Sequence, residues 1–339
     1  MNDRRQPVVT VLGGGSWGTT VASIAARNTP TLQWLRDDEV ATAINETHMN
    51  PRYLPDLALT PTLRATSDLE YAVSTADVLV VGVPSQHYRS VLEAAAPFVR
   101  PWVPVISLVK GLEQSTRKRM TEVVAEILPG HPAGVLAGPN IAREIVQGYA
   151  AAATIALPDH GTAVMLQSLF NHQRFRVYTS EDVVGVEAAG ALKNIYAIAV
   201  GFGDGLGAGD NTRAMVITRS LREMSRIGVA MGGRDETFSG LAGMGDLIAT
   251  ATSPHSRNRH VGVELGKGAT LEEITTSMNQ VAEGIKTAGS VVAIADEFSV
   301  DATIASEVDA VINHGQPVTA TFRGLLRRTP GHEVHGTDW

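Results

Sequence analysis

The chain contains no cysteine. That absence removes disulfides, thiolate nucleophiles and sulfur-ligated metals together, and no residue is assigned to a metal; it does not name a redox compartment. A surplus of positive charge is also missing. The 28 basic side chains face 35 acidic ones, for a net charge of -7, which argues against a sequence-independent grip on nucleic acid or on an anionic membrane surface. An anion must therefore be caught locally. Met1 to Gln6 are charged or polar and lead straight into a strand-like run, without the apolar segment of a secretory signal, so a cytoplasmic protein is expected. Neither a fixed-period repeat nor a low-complexity tract occurs. A clean membrane-length apolar run is lacking too: Val183 to Phe202 comes close, at ~20 residues, but Glu187, Lys193 and Asn194 interrupt it and no aromatic belt or basic flank accompanies it. A buried helix of a globular domain is the expectation, with no membrane span.

At 339 residues the chain exceeds one ordinary core, and roughly 150 residues per domain predicts two. Up to about Val177 short β-branched runs alternate with helical stretches. Val8 to Leu12, Leu32 to Leu35, Val78 to Val83 and Val103 to Leu108 read as strands, and Thr19 to Arg27 as a helix. Continuous apolar runs are how strands covered on both faces look. The expected fold is a doubly wound parallel α/β sheet, with Gly134 to Ala137, Ala152 to Leu157 and Phe175 to Tyr178 extending it. Beyond Ser180 helical spacing takes over: Val183 to Val200, Thr212 to Gly228, Asp246 to Thr252, Leu271 to Thr276 and Ile285 to Glu297. Residues 1–180 are thus expected to form one domain and 181–339 a mostly helical second one, with a cleft between them and a loose tail from about Thr329.

The richest local signal is Gly13-Gly14-Gly15-Ser16-Trp17-Gly18. Gly13, Gly15 and Gly18 fit G-x-G-x-x-G with an apolar strand before and a helical run after, the context the pattern needs. The first glycine permits the tight turn, the second lets the backbone approach a diphosphate, and the third lets helix and strand pack closely, while the helix start supplies N–H groups for the anion. A dinucleotide is the expected ligand. The overlapping Gly14-x-Ser16-x-Gly18 also fits a hydrolase nucleophile elbow, but His255, His260, His332 and His335 offer no triad context. At the end of the second strand Arg36 precedes Asp37 and Asp38; the arginine suits a 2′-phosphate and the carboxylates a ribose hydroxyl, so NAD and NADP both stay open.

Lys193 lies among Ala189, Leu192, Ala197 and Val200. Burying an ammonium without partners is unfavourable, so it either has a chemical role or snorkels to the helix edge. Desolvation beside another cation lowers a lysine pKa and suits proton exchange with a carbinol oxygen. Beside a dinucleotide site, such a lysine points to a dehydrogenase. Ser256-Arg257-Asn258-Arg259-His260 is a candidate phosphate cradle or a solvated helix start. Gly243-Met244-Gly245-Asp246 places an aspartate where a helix N-cap is expected. Lys110 and Gly138-Pro139-Asn140 each follow a strand, at the sheet edge where ligands of such folds bind.

Together, Gly13 to Gly18, Val109-Lys110-Gly111-Leu112-Glu113, Gly138-Pro139-Asn140, Leu192-Lys193-Asn194, Gly203-Asp204-Gly205-Leu206-Gly207, Gly245-Asp246-Leu247, Ser256 to Arg259 and Gln280-Val281-Ala282-Glu283-Gly284 resemble the NAD(P)-dependent glycerol-3-phosphate dehydrogenase family. The match runs from the first strand to about Gly284. The resemblance implies a Rossmann-type domain followed by a helical domain like that of 6-phosphogluconate dehydrogenases. It implies reversible reduction of dihydroxyacetone phosphate to sn-glycerol 3-phosphate with NAD(P)H, feeding glycerophospholipid synthesis, by a homodimer. Lys193 is then the proton donor and acceptor at C2, Lys110 a second cation polarising the carbonyl, and Asp246 an orienting carboxylate. Gly13, Gly15, Ser16, Trp17, Gly18, Arg36, Lys110, Ala142, Arg257, Val281 and Glu283 would line the cofactor. Lys110, Gly138, Asn140, Lys193, Asn194, Asp246, Ser256, Arg257 and Asn258 would hold the phosphorylated triose. Many bacterial members carry Ser or Thr in place of Asn140, whereas Asn140 and the loop Gly209-Asp210-Asn211-Thr212 look like the eukaryotic branch. Two alternatives remain at this level: a related hydroxyacid or ketopantoate reductase, and a non-catalytic dinucleotide sensor.

Overall fold

The computed structural model describes residues 5–278 and 282–321; Val281 and the tail lie outside them. The chain divides into two compact units, Met1–Glu187 and Ala188–Trp339.

In the first unit the elements run β1 (Val9–Leu12), α1 (Ser16–Ala25), β2 (Thr31–Trp34), α2 (Asp38–Thr47), β3 (Met49–Asn50), β4 (Leu54–Ala58), β5 (Arg64–Thr66), α3 (Leu69–Ser74), β6 (Val78–Val81), α4 (Ser85–Ala95), β7 (Val105–Ser107), α5 (Met120–Ile127), β8 (Ala133–Ala137), α6 (Ala142–Val146), β9 (Ala151–Ala156), α7 (His160–Phe170) and β10 (Phe175–Ser180). Eight strands form one sheet in the order β10-β9-β8-β7-β6-β1-β2-β5. The chain builds outward from β1 in one direction and then from β6 in the other, so the topological switch falls between β1 and β6. Along these strands successive side chains face opposite ways. Val9, Val11, Val78 and Val80 enter one buried cluster, and Leu12, Leu79 and Val81 enter a second on the other face. That two-sided burial is why the strands read as unbroken apolar runs.

The expected doubly wound parallel sheet is present, with β9 and β10 running opposite to the other strands. β9 runs antiparallel to β8, while β10 returns parallel to β9. Strand polarity is not written in apolar patterning, because both orientations bury the same faces. The β3–β4 hairpin was also absent from the sequence reading; its pairing is short and irregular.

The second unit is helical: α8 (Val183–Gly205, which begins in the first unit), α9 (Asp210–Ala230), α10 (Asp235–Phe238), α11 (Asp246–Thr252), α12 (Arg257–Gly266), α13 (Leu271–Ser277), α14 (Glu283–Glu297) and α15 (Thr303–His314). A π turn, Leu241–Gly245, leads directly into α11. α8 is long and apolar enough to cross a membrane, but 94% of its most hydropathic window is buried inside the structure. A helix apolar all round is the mark of a core position. α12 lies against α8 almost backbone to backbone. A methyl at Gly262 would sit 2.1 Å from the carbonyl oxygen of Ile198, and one at Gly205 would sit 2.3 Å from that of Val263. Gly201 and Gly205 on α8 thus meet Gly262 and Gly266 on α12, a contact only glycine allows.

Candidate active site

In the first unit the glycine turn is fixed by sterics. Gly13 has a φ of +125°, and a methyl there would meet the Gly82 carbonyl oxygen at 2.7 Å; it joins β1 to the region after β6, at the topological switch. A methyl on Gly18 would meet the Gly13 oxygen at 2.7 Å, whereas nothing lies within 4 Å of one on Gly15. Gly15 therefore presents open backbone. Two buried amides that the sequence reading overlooked brace the turn: Gln33 Nε2 donates to the Gly13 carbonyl and Asn50 Nδ2 to that of Gly14, each at 2.9 Å. Their signal was one amide side chain in the four-residue β2 and one in the two-residue β3, too weak to read without the fold.

Helix α1 starts with Gly15 as N-cap, no side-chain cap and no acid in its first turn. Such a helix start, carrying Ser16, Trp17 and Gly18, keeps its positive end for an anion. Trp17 packs against the core, and its buried Nε1 has no hydrogen-bond partner among the described residues. Arg36 is exposed just past β2. The neighbouring carboxylates are engaged: Asp37 caps α2 through Val40 N and pairs with Arg52 at 3.3 Å, and Asp38 accepts from the Ser67 hydroxyl at 2.7 Å.

Lys110 follows β7 and Gly138 follows β8, at the carboxyl ends of adjacent parallel strands. The Lys110 ammonium donates to the Gly138 carbonyl at 2.8 Å. Gly138 has a φ of +147°, and a methyl there would meet the Ala152 oxygen at 2.9 Å. Both side-chain polar atoms of Asn140 are buried without a hydrogen-bond partner among the described residues. A buried amide left unsatisfied is costly, about 1–3 kcal/mol, so Asn140 calls for a polar partner here. Ala142 begins α6 beside it. Just beyond Lys110, Glu113 accepts a forked pair of bonds from Arg89 at 2.8 and 3.0 Å, which pins the loop and holds the Glu113 carboxyl below its ordinary pKa.

In the second unit Lys193 does not snorkel. Its ammonium lies 3.1 Å from Asp246 Oδ1, with the side chains 6% and 3% exposed, and donates to the Thr250 hydroxyl at 2.5 Å. The Thr250 hydroxyl in turn donates to Asp246 Oδ1 at 3.2 Å. The expected N-cap role of Asp246 is corrected by this geometry. The π turn runs straight into α11, so residue 246 already has helical dihedrals and there is no open helix start to cap. Thr250 was missed; the available signal was its position four residues after Asp246, which puts both on one helix face.

One residue on, Asn194 Oδ1 accepts from Asn258 Nδ2 at 2.9 Å, and Asn258 Oδ1 accepts from Gly284 N at 2.9 Å. Ser256 caps α12 through the Arg259 N–H, so the cluster Ser256 to Arg259 lies at a helix start. Arg257, the first residue of α12, is exposed. Among the described residues no cluster of three His, Cys, Asp or Glu side chains could hold a metal ion.

A dinucleotide turn at the switch of an open α/β sheet, with a buried lysine–aspartate pair in a helical unit, defines the class of nicotinamide-dependent dehydrogenases. The orphaned Asn140 amide and the uncapped α1 start fit a bound dinucleotide and substrate. Residues 8–163 match the N-terminal, and residues 182–323 the C-terminal, domain described as NAD-dependent glycerol-3-phosphate dehydrogenase. A glycerol-3-phosphate dehydrogenase [NAD(P)+] of Mycobacterium avium is 62% identical over 334 residues, covering 98% of each chain. The Mycobacterium tuberculosis H37Rv protein glycerol-3-phosphate dehydrogenase [NAD(P)+] 1 is 61% identical over 336 residues, covering 99% of this chain and 98% of that protein. The crystal structure of glycerol-3-phosphate dehydrogenase from Coxiella burnetii superimposes with a TM-score of 0.90 at 33% identity, over 95% of this chain and 99% of that one. The chain belongs to the NAD-dependent glycerol-3-phosphate dehydrogenase family.

Proposed function

We propose that this protein interconverts dihydroxyacetone phosphate and sn-glycerol 3-phosphate with a nicotinamide dinucleotide. The observation that carries the reading is Lys193, an interior ammonium held by Asp246 and Thr250 inside a helical core. When bound, the reduced nicotinamide supplies a hydride to C2 of the triose. Lys193 supplies the proton to the oxygen on that carbon, and takes it back in the reverse direction. Asp246 and Thr250 keep the ammonium in one orientation, so little reorganisation is needed when charge develops on the oxygen. Lys110 acts as a second cation on the substrate, and Asn194, Ser256, Arg257 and Asn258 hold its hydroxyls and phosphate. Asn140 and Gly138 contact the substrate from the sheet edge. Gly13, Gly15, Ser16, Trp17, Gly18, Arg36, Ala142 and Glu283 hold the cofactor, as does Val281, which lies outside the described residues.

The engaged state of Asp37 and Asp38 supports acceptance of the 2′-phosphorylated cofactor, since Arg36 is the side chain left to read that position. We take the working unit to be a homodimer in the cytoplasm, supplying glycerophospholipid synthesis; light scattering on the purified protein tests the first assignment and cell fractionation the second. The reaction is tested by following reduced cofactor with and without dihydroxyacetone phosphate. Lys193→Ala lowers turnover by roughly 10²–10⁴-fold with cofactor affinity nearly intact. Turnover near that of the parent in a folded variant removes Lys193 from the reaction. Ketopantoate offered in the same assay separates the related reductase, and no substrate-dependent oxidation at all would leave only a dinucleotide sensor.

A further inference from the structure

Asp204 has no part in the chemistry above, yet it joins three helices. It is the penultimate residue of α8, with a side chain 6% exposed. Its Oδ1 accepts Arg213 Nε from α9 at 2.8 Å. Its Oδ2 accepts Arg259 Nε from α12 at 2.8 Å and lies 2.6 Å from Arg259 Nη2. A carboxylate between two guanidinium forks is a geometrically demanding contact, because planar donors fix both distance and direction.

The place of Arg259 in α12 gives this contact its consequence. Arg257, Asn258 and Arg259 are the first three residues of that helix, and successive positions turn by about 100°. Arg257 and Arg259 therefore project from nearly opposite sides, with Asn258 between. Asn258 is tied to Asn194 and to Gly284. Arg259 is tied to Asp204. With two of three consecutive side chains anchored, the backbone position from which Arg257 projects is set.

We propose that Asp204 is a positioning residue for phosphate recognition, locking the start of α12 to the end of α8 so that Arg257 and Asn258 keep one geometry relative to Lys193. This rests on the reading of α12 as the phosphate-holding element. Losing the carboxylate charge takes the forked partner from Arg259, while Arg213 keeps its second contact with Asp210, and frees Arg259, and the helix start with it, to move off α8.

Steady-state kinetics of Asp204→Asn, Arg259→Lys, Arg213→Ala and Arg257→Ala test this, each variant checked by thermal melting. Arg259→Lys keeps the charge but not the fork, and serves if Asp204→Asn fails to fold. Asp204→Asn and Arg259→Lys are expected to raise KM for dihydroxyacetone phosphate about tenfold, to weaken competitive inhibition by inorganic phosphate in parallel, and to leave kcat and the cofactor KM within about threefold. Arg213→Ala, which leaves the α8–α12 contact in place, is expected to change the substrate KM by less than about threefold. Unchanged substrate KM in both Asp204→Asn and Arg259→Lys, alongside a raised one in Arg257→Ala, overturns the proposal and leaves the phosphate reading standing. An equal rise in Arg213→Ala, or a matching fall in kcat, makes Asp204 a general packing residue and also overturns it. An unchanged KM in Arg257→Ala refutes the phosphate reading itself.

Discussion

Glu223 offers a prediction whose size follows from its surroundings. It lies on α9, 3% exposed, and its two oxygens accept the N–H groups of Ile304 and Ala305 at 2.9 Å each. It thereby caps α15 from another helix, where Ala302 has no side chain able to do so. Removal from water raises its pKa. The two backbone N–H bonds and Arg226 oppose that, Asp301 adds to it, and the result is a carboxyl pushed up to about 7 from an ordinary 4.5. In the window between those values the folded chain binds a proton that the unfolded chain has released. Stability contributed by this group is therefore fully present below about pH 4.5 and declines as pH rises to about 7. A gap of about 2.5 units, at roughly 1.36 kcal/mol each, gives a loss of about 3 kcal/mol. Glu223→Gln cannot ionise and shows no such decline. Its amide satisfies only one of the two N–H groups, so the variant starts about 1–3 kcal/mol below the parent in acid and gains on it as pH rises. Urea unfolding of both proteins from pH 4.5 to 8, followed by far-ultraviolet circular dichroism, measures the difference; separate transitions of the two units are fitted separately. A parent-minus-variant difference that stays flat within about 1 kcal/mol across this range refutes the reasoning.

Three shorter predictions follow from the same geometry. Thr250→Val removes the hydroxyl between Lys193 and Asp246 without changing shape, and should lower kcat about tenfold with the substrate KM little changed; an unaltered kcat would show that Thr250 is not needed to orient the Lys193 ammonium. Arg36→Ala should weaken NADPH by about 1–3 kcal/mol while leaving NADH nearly untouched, and equal losses for both cofactors would show that Arg36 does not read the 2′-phosphate. Gly262→Ala drives a methyl to 2.1 Å from the Ile198 oxygen, and should cost about 1–3 kcal/mol in stability, visible as a lowered melting temperature; an unchanged melt would mean that α8 and α12 separate freely.

Several features were legible without coordinates because their cause is local. The turn Gly13 to Gly18 is contiguous, and its strand before and helix after could be read from the same stretch. The apolar runs of β1 and β6 announced strands covered on both sides, and Lys193 stood out because a charge in such a helix demands an explanation. Other features depended on chain segments meeting. Thr250 lies 57 residues from Lys193, and its hydroxyl gains meaning only once α11 packs on α8. Asp246 looked like a cap because the glycines before it looked like a break; the π turn turned that break into continuous helix and freed the carboxylate for the lysine. The reversal of β9 was invisible because side-chain alternation is the same in either direction.

The sequence by itself determined the dinucleotide turn, the change from strand-rich to helical patterning, and the need for Lys193 to have a partner, since backbone sterics, hydropathy and desolvation all act through neighbours along the chain. Tertiary structure alone decided which groups answer that need, which carboxylates near Arg36 are already engaged, and how Asp204 ties α8 to α12. Those outcomes turn on distances of about 3 Å between residues on different elements of the chain, and only the packing of whole elements sets such distances.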